Sequence, residues 1–470
     1  MPDPVLAALA AACPATRPAA PQDAVAGVTP RYAASPVTLS QASALMRAAA
    51  EHDLAVVPRG GGSKLDWGVP PRRCDLVIDT GSLDQVTEHA AGDLVARVQA
   101  GVRVQHLAEV LAQAGQQLAL DLPPSAAGRR AAGTDPAGNG TAGTDPAGNG
   151  TAGNGARLQD GATIGGTLAT GAAGPRRLRY GTPRDLVIGI TVVRADGTVA
   201  RSGGKVVKNV AGYDLGKLFA GSFGTLGLIV EAVFRLHPLP AGVAYVTNAC
   251  ADATAAQRAV SQAVASQLAP SAVEIDRPAR GQPVMVGVLL EGDPDGVRER
   301  AELMRGLLGT GAHTSPAVPD WWGWPAEPGA SSAGTLIRIA FWAAALPQVL
   351  AVVDSAAAAA GLDPAVGGSA AAGVIYAAAR SDAGPGVIAK FVSALRGGLA
   401  GAGHGGRPSA VPMLDSPPLV ASAVVVQCPP GVRDLVDPWG PVPSLGLMRA
   451  VKNQFDPEHR MAPGRFAGGL

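Results

Sequence analysis

Along residues 31–122 the spacing of apolar positions changes back and forth between two periods. Leu39, Ala42, Leu45, Met46 and Ala49 lie three and four apart, which predicts a helix over 39–52 with one buried face. Thr38 and Gln41 stand three apart at its start, as in a capping box. Val56-Val57, the run 75–79 and the alternating stretch 94–99 predict strands, and Val104, Leu107, Ala108 and Leu111 return to helical spacing. A further apolar strand is predicted over 186–193, with Asp196-Gly197 as a hairpin signal behind it. From 241 onward, apolar runs at 283–290, 336–341, 373–376 and 424–427 alternate with helical patterns near 295–308, 347–360 and 385–399. Residues 31–122 therefore read as a small α+β unit, and the order of runs over 241–440 suits a second α+β domain. Residues 1–30 are rich in Ala and Pro and are expected to be flexible.

Residues 126–157 interrupt the first domain. Thr-Asp-Pro-Ala-Gly-Asn-Gly-Thr-Ala-Gly occurs at 134–143 and again, unchanged, at 144–153. The unit has no apolar face to offset the entropy of ordering it, so it reads as a disordered insertion. It costs little, since each doubling of loop length adds only about 0.6 kcal/mol. Gly138-x-Gly140-x-x-Gly143, Gly148-x-Gly150-x-x-Gly153 and Gly401-x-Gly403-x-x-Gly406 match the dinucleotide fingerprint as strings. None follows a strand and opens a helix, so a Rossmann domain is not supported.

A chain of 470 residues exceeds a single core and implies two or three domains. Net charge is +1 and no strongly basic tract occurs, which argues against nucleic acid as a partner. No run of about 18 strongly apolar residues suggests a membrane span, and the start, with Asp3 and no basic stretch, does not resemble a secretory signal. Cys13, Cys74, Cys250 and Cys428 are far apart and form no C-x-x-C pair. They read as buried or incidental thiols of a cytoplasmic protein, not as ligands of an iron–sulfur cluster or zinc ribbon.

The candidate chemistry centres on Val56-Val57-Pro58-Arg59-Gly60-Gly61-Gly62-Ser63-Lys64, a strand that runs into three glycines. Successive amides in such a turn form a concave, partly positive nest for an anion, and Arg59 and Lys64 bracket it with two charges. A pyrophosphate suits that arrangement. Charge-assisted hydrogen bonds of roughly 1.5–3 kcal/mol each would, three or four together, approach the ~8 kcal/mol of micromolar binding. An ordinary Gly-rich surface turn is the alternative for this fragment alone. Further on, Ala162-Thr163-Ile164-Gly165-Gly166-Thr167-Leu168-Ala169-Thr170-Gly171 forms a second loop of small residues. Tyr180-Gly181-Thr182-Pro183-Arg184-Asp185, the block 205–215 and Gly224-Thr225-Leu226-Gly227-Leu228-Ile229-Val230-Glu231 follow. So many glycines beside strands imply that something large and flat comes close to the backbone.

In this order the blocks resemble the FAD-binding domain of the vanillyl-alcohol oxidase and p-cresol methylhydroxylase type. Within it the chain is most similar to the FAD-binding subunits of bacterial glycolate oxidase, through Lys208-Asn-Val-Ala-Gly-Tyr-Asp-Leu215, Leu447-Met-Arg449, Asp456-Pro457 and Pro463-Gly-Arg-Phe466. The resemblance covers about residues 31–240 and the last ~40. It implies an α+β fold: a two-part FAD-binding domain over 31–240, a smaller ferredoxin-like cap over 241–440, and a C-terminal segment over 441–470 that packs back on the FAD domain. It further implies that Arg59, Gly60, Gly61, Gly62, Ser63 and Lys64 hold the pyrophosphate. Thr163, Ile164, Gly165, Gly166, Thr170 and Gly171 would approach the adenosine and ribityl portions. Asp185 would lie along the cofactor, as would Tyr180-Gly181, and Ile229 would offer a backbone contact to adenine. Pro123-Pro124 corresponds to the family's turn before the second loop, with Pro124 at the cofactor and the repeat inserted between them.

Many relatives carry a histidine in the first glycine turn, and this chain has none there, so FAD is expected to be non-covalent. The implied function is oxidation of a small 2-hydroxy acid, glycolate to glyoxylate, within a complex that also contains a second flavin subunit and an iron–sulfur subunit. A stand-alone oxidase of another alcohol or hydroxy acid, or a non-catalytic subunit, are the alternatives. The cap stays less legible. Trp321, Trp322 and Trp324 form either a partner-facing patch or a loop folded over its own rings. The seven histidines show no paired metal pattern, His404 is the one candidate base, and no catalytic acid or base is assigned.

Overall fold

The computed structural model describes residues 3–122, 161–204, 213–324, 334–401 and 421–470. The repeat insertion, Pro123-Pro124, the stretch 205–212 and His404 lie outside the described residues.

The chain opens with α1 (Pro4–Ala12), capped by the Asp3 carboxylate, which accepts from the Val5 and Leu6 amides. Next come β1 (Thr16–Pro18), β2 (Tyr32–Ala34), α2 (Leu39–Glu51), β3 (Val56–Arg59) and β4 (Leu76–Asp79), whose strands make a sheet in the order β1-β2-β4-β3. Thr38 caps α2 as expected, its hydroxyl accepting from the Gln41 amide at 3.1 Å. The expectation of a flexible first thirty residues is corrected. Leu9 and Cys13 are fully buried against Leu45 and Met46 of α2. Asp23 joins Arg17 at 2.6 Å to Arg59 at 3.2 Å, and these two guanidinium groups hold its carboxyl down at about 2. The segment owes its order to a surface far along the chain, which local composition does not reveal.

The second half of the domain contributes β5 (Val86–Ala90), β6 (Val95–Gln99), α3 (Val104–Ala112), β7 (Gln116–Gln117), α4 (Ile164–Thr170), β8 (Val187–Val193), β9 (Val199–Gly203), β10 (Leu228–Arg235) and β11 (His237–Pro238). Five of these strands make an antiparallel sheet, β5-β6-β10-β8-β9. Thr163 starts α4 with a side-chain cap to the Gly166 amide, and Gly171 ends it in the left-handed conformation. The two glycine-rich loops are thus the ends of β3 and the start of α4.

The cap contains β12 (Gly242–Cys250), α5 (Ala253–Ala265), β13 (Ala272–Arg277), β14 (Val284–Gly292), α6 (Pro294–Leu308), β15 (His313–Ser315), β16 (Thr335–Phe341), α7 (Leu346–Ala360), β17 (Ala365–Ser369), β18 (Val374–Ala379), α8 (Pro385–Gly401) and β19 (Ala421–Gln427). They form one eight-stranded sheet, β15-β12-β14-β13-β17-β18-β16-β19. It resolves into two strand–helix–strand–strand–helix–strand units, each with its strands in the ferredoxin-like order, joined edge to edge where β13 pairs antiparallel with β17. The single ferredoxin-like cap expected from the sequence is therefore doubled. All four helices cover one face, with Val260, Met304, Val353 and Phe391 in a common core. Ala343–Ala360 is long and apolar enough to cross a bilayer, but Leu346, Val349, Leu350 and Val353 of α7 are buried in that core. The tryptophan loop folds over its own rings: Trp322 meets Tyr245 at 4.9 Å between centroids and Trp324 meets Tyr376 at 4.3 Å.

After α9 (Leu445–Phe455) the chain returns to the first domain. The Val56 amide donates to the Arg460 carbonyl and the Ala462 amide to the Val56 carbonyl, both at 2.8 Å. Beneath this contact Lys452, buried, donates to the Asp456 carboxylate at 2.5 Å and to the carbonyls of Thr225 at 2.7 Å and Met461 at 2.9 Å. A buried charge so completely satisfied fixes the position of everything that follows it, including Arg465 beside the glycine turn.

Candidate functional site

A cavity lies between the end of β3 and the start of α4, lined by Gly60 to Lys64, Thr163, Gly165, Gly166, Thr170 and Ile229. The two loops approach so closely that only glycine fits. A Cβ on Gly60 would lie 2.1 Å from Thr163 Oγ1, and one on Gly61 would lie 1.5 Å from the Gly161 carbonyl oxygen. Gly224, at φ +74°, also lines the cavity, and a Cβ there would lie 3.3 Å from the Pro58 ring. A concave surface of backbone, with amides and small hydroxyls and almost no side-chain bulk, suits a dinucleotide laid along it. Residues from three distant stretches of sequence meet here.

Several predicted positions make contacts of their own, in or away from this cavity. Arg59 lines the cavity, but its guanidinium is committed to Asp79 at 2.8 Å and Asp23 at 3.2 Å. These two carboxylates hold it, so it braces the loop and ties down the N-terminal segment. Ile164 is fully buried in the domain core, because the first turn of α4 points it inward. Gly171 lines the neighbouring cavity. Tyr180, Gly181 and Asp185 line neither cavity. The Tyr180 hydroxyl donates to Glu291 of the cap at 3.1 Å, and Asp185 caps its own turn by accepting from the Thr182 amide at 2.8 Å. Gly181 is required there because a Cβ would lie 2.6 Å from that of Asp185. Pro124 is outside the described residues. Lys64 keeps a place in the wall, its ammonium 3.4 Å from Ser63 Oγ and 5.8 Å from the centroid of the Trp67 ring.

Sequence reasoning missed Phe223, Thr80 and Arg465 in the same lining. Arg465 belongs to the C-terminal motif already noted, but nothing local in Pro463-Gly464-Arg465-Phe466 assigns its side chain a direction.

A second cavity adjoins the first through Thr170 and Phe223 and opens between the two domains. Its walls include Trp67 and Arg177 from the first domain, Arg338 of β16 and Tyr376 of β18 from the cap, and Trp439. Among the described residues neither Arg177 nor Arg338 forms an ion pair; Arg177 Nε donates to the Gly174 carbonyl at 3.0 Å. Two cations that form no ion pair among the described residues give this chamber a positive lining suited to an anion. The contact between the domains is itself polar: Arg176 reaches Asp121 at 2.8 Å and Glu291 at 3.5 Å, and Arg179 reaches Ser271 of the cap at 3.3 Å.

Residues 30–151 and 146–203 match the family described as FAD binding domain. Over 257 residues the chain is 32% identical to glycolate oxidase subunit GlcD of Bacillus subtilis, covering 53% of this chain and 47% of that protein. It is 33% identical over 203 residues to the D-lactate dehydrogenase of Archaeoglobus fulgidus, covering 43% of this chain and 38% of that one. The chain thus spans about half the length of the curated relatives it matches. Among solved structures, p-cresol methylhydroxylase with substrate bound aligns with a TM-score of 0.67 at 14% identity, over 98% of this chain and 96% of that one. A carbohydrate oxidase from Microdochium nivale aligns at 0.63 and 16%, over 97% of each chain. At these identities the structural matches show the fold. The glycine cradle fits the group that the sequence match names, since the cavity between the two loops is lined by glycine backbone and small hydroxyls with little side-chain bulk.

Proposed function

We propose that the chain is an FAD-dependent oxidoreductase of the 2-hydroxy-acid dehydrogenase type, acting as the FAD-binding subunit of a glycolate oxidase, a reading supported by the match of residues 30–151 and 146–203 to the family described as FAD binding domain. Bound FAD supplies the redox chemistry, taking up the electron pair removed as glycolate becomes glyoxylate. The observation that carries the reading is the chamber beside the cradle. Arg177 from the first domain and Arg338 from the cap line it together, and a hydroxy acid offers the carboxylate that such a pair would hold. Trp67, Phe223 and Trp439 make the rest of the wall apolar, which excludes water from the space next to the ring. In this reading the cofactor is held without a covalent link, by Gly60–Ser63, Lys64 and the start of α4. A second flavin subunit and an iron–sulfur subunit complete the complex, which is cytoplasmic, with any membrane association made through those partners. The likeness to glycolate oxidase subunit GlcD supports this choice of complex.

The test is reduction of the FAD-loaded chain by hydroxy acids, alone and co-purified with its partners, followed by bleaching of the flavin absorbance. Arg338→Ala is expected to raise the glycolate concentration for half-maximal bleaching about 10- to 100-fold, the worth of one charge-assisted contact, with FAD content unchanged. Half-saturation equal to that of the wild type would remove Arg338 from the substrate site. Glycolate that leaves the flavin oxidised in both preparations, while another hydroxy acid bleaches it, would move the assignment to that acid.

A further inference from the structure

Arg465 is buried, 4% exposed, and lines the cradle. Its Nη2 donates to the carbonyl oxygens of Leu65 and Trp67, both at 3.0 Å. Its Nη1 is buried as well and has no hydrogen-bond partner among the described residues. No carboxylate forms an ion pair with it there. Burial and then the neighbouring Arg433 guanidinium pull its proton affinity down, to about 10, and Asp66 opposes them more weakly. Cys74 cannot serve as its anion, because burial pushes that thiol up to about 12. A buried cation without an ion-pair partner is costly, and the fold holds this one in place through the Lys452–Asp456 pair and the bridge to β3. An anion laid in the cradle would supply the counter-charge that this guanidinium lacks among the described residues.

We infer that Arg465 is the counter-charge of the bound cofactor, a contact that the C-terminal segment contributes to the glycine cradle. The inference rests on the FAD reading. The negative charge it meets belongs either to the diphosphate, which is anionic in every redox state, or to the ring, which becomes anionic on reduction. ADP carries the first and lacks the second.

The experiment uses the full chain stripped of flavin, as wild type, Arg465→Met and Arg465→Lys. Affinity for FAD and for ADP is measured by titration, melting temperature is measured with and without FAD, and the two-electron potential is measured in the loaded protein. Arg465→Met is expected to bind FAD about 10- to 100-fold more weakly, with Arg465→Lys recovering part of the loss. The same loss with ADP places the charge at the diphosphate. Unchanged ADP binding with a lower potential places it at the ring. Without FAD, Arg465→Met is expected to melt at or above the wild-type temperature, since it removes an uncompensated buried charge; with FAD, its gain in melting temperature is expected to be smaller. FAD affinity and potential both equal to wild type would overturn the inference, as would a flavin-free variant destabilised as much as the loaded one. A wild-type chain that takes up no FAD would overturn the cofactor reading, and this inference with it.

Discussion

Gly61→Ala is expected to leave the chain unable to retain FAD. The new Cβ would be placed 1.5 Å from the carbonyl oxygen of Gly161. Both parties are backbone, so no rotamer change can relieve the overlap, and one loop must withdraw from the other. Withdrawal opens the nest and costs it its shared geometry. Losing even three amide contacts at the low end of roughly 1.5–3 kcal/mol each weakens binding by about three orders of magnitude. Gly62→Ala is the control. Gly62 has φ +75°, so alanine there carries about 1–2 kcal/mol of strain, but its Cβ would meet only Leu65, at 3.8 Å. The ratio of flavin to protein absorbance after gel filtration separates the two: Gly62→Ala retains colour and Gly61→Ala does not. A Gly61→Ala protein as yellow as the wild type would show that the two loops do not have to meet for the cofactor to bind.

That contrast also shows where sequence reading succeeds. The glycine turn is legible because its cause is local: two β-branched residues, a proline and three glycines in a row leave the chain few other conformations. Helix α2 is legible for the same reason, its cap and its buried stripe lying within thirteen residues. Helix α1 is not, because Leu9 finds its partner only on α2. The ion pairs of Arg59 are not legible either, because Asp23 and Asp79 lie 36 and 20 residues away along the chain. The doubled cap depends on the pairing of β13 with β17, a choice made between strand edges and not within either strand. Arg465 is placed by contacts that reach back 400 and 398 residues to Leu65 and Trp67. The cradle's backbone is written locally, and its charges are distributed by tertiary structure.

Glu274 shows what such a distribution can do. In Ala272-Val273-Glu274-Ile275-Asp276 the alternation suggests an acidic face turned to water, yet Glu274 is fully buried. Helices cover Val273 and Ile275 on one side of β13, and the turn 177–180 of the first domain packs against the strand. Burial pushes the Glu274 carboxyl up to about 8, with Ser369 and Arg177 pulling back and Asp121 adding to the rise. Ser369 approaches, but neither carboxyl oxygen closes a hydrogen bond among the described residues. The folded protein therefore keeps a proton that the unfolded chain, at its ordinary value of 4.5, has already released. Stability from this group is complete below 4.5 and declines as pH rises toward 8, by about 1.4 kcal/mol per pH unit. Asp276, which burial pushes up to about 6, adds a smaller fall of the same sign. His237 is pushed down by burial, then by Arg235 and Arg179, and acts in the opposite sense, but it is common to wild type and variant.

Glu274→Gln, which keeps the shape of the protonated acid, is expected to flatten the decline. It should be near neutral at pH 5 and exceed the wild type at pH 8 by about 4 kcal/mol, read from denaturant unfolding of the flavin-free chain across that range. Parallel stability profiles for the two proteins would mean that Glu274 is ionised in the fold after all. The proton has a functional counterpart as well. A neutral Glu274 leaves the positive charge of Arg177 to the chamber, whereas an ionised one would neutralise it from behind. Half-saturation by a hydroxy acid is therefore expected to worsen above about pH 8 in the wild type, and to stay level in Glu274→Gln. Because the chamber's second cation, Arg338, is exposed and comes from a different strand, its contribution persists in both proteins. The difference between their pH profiles isolates Arg177.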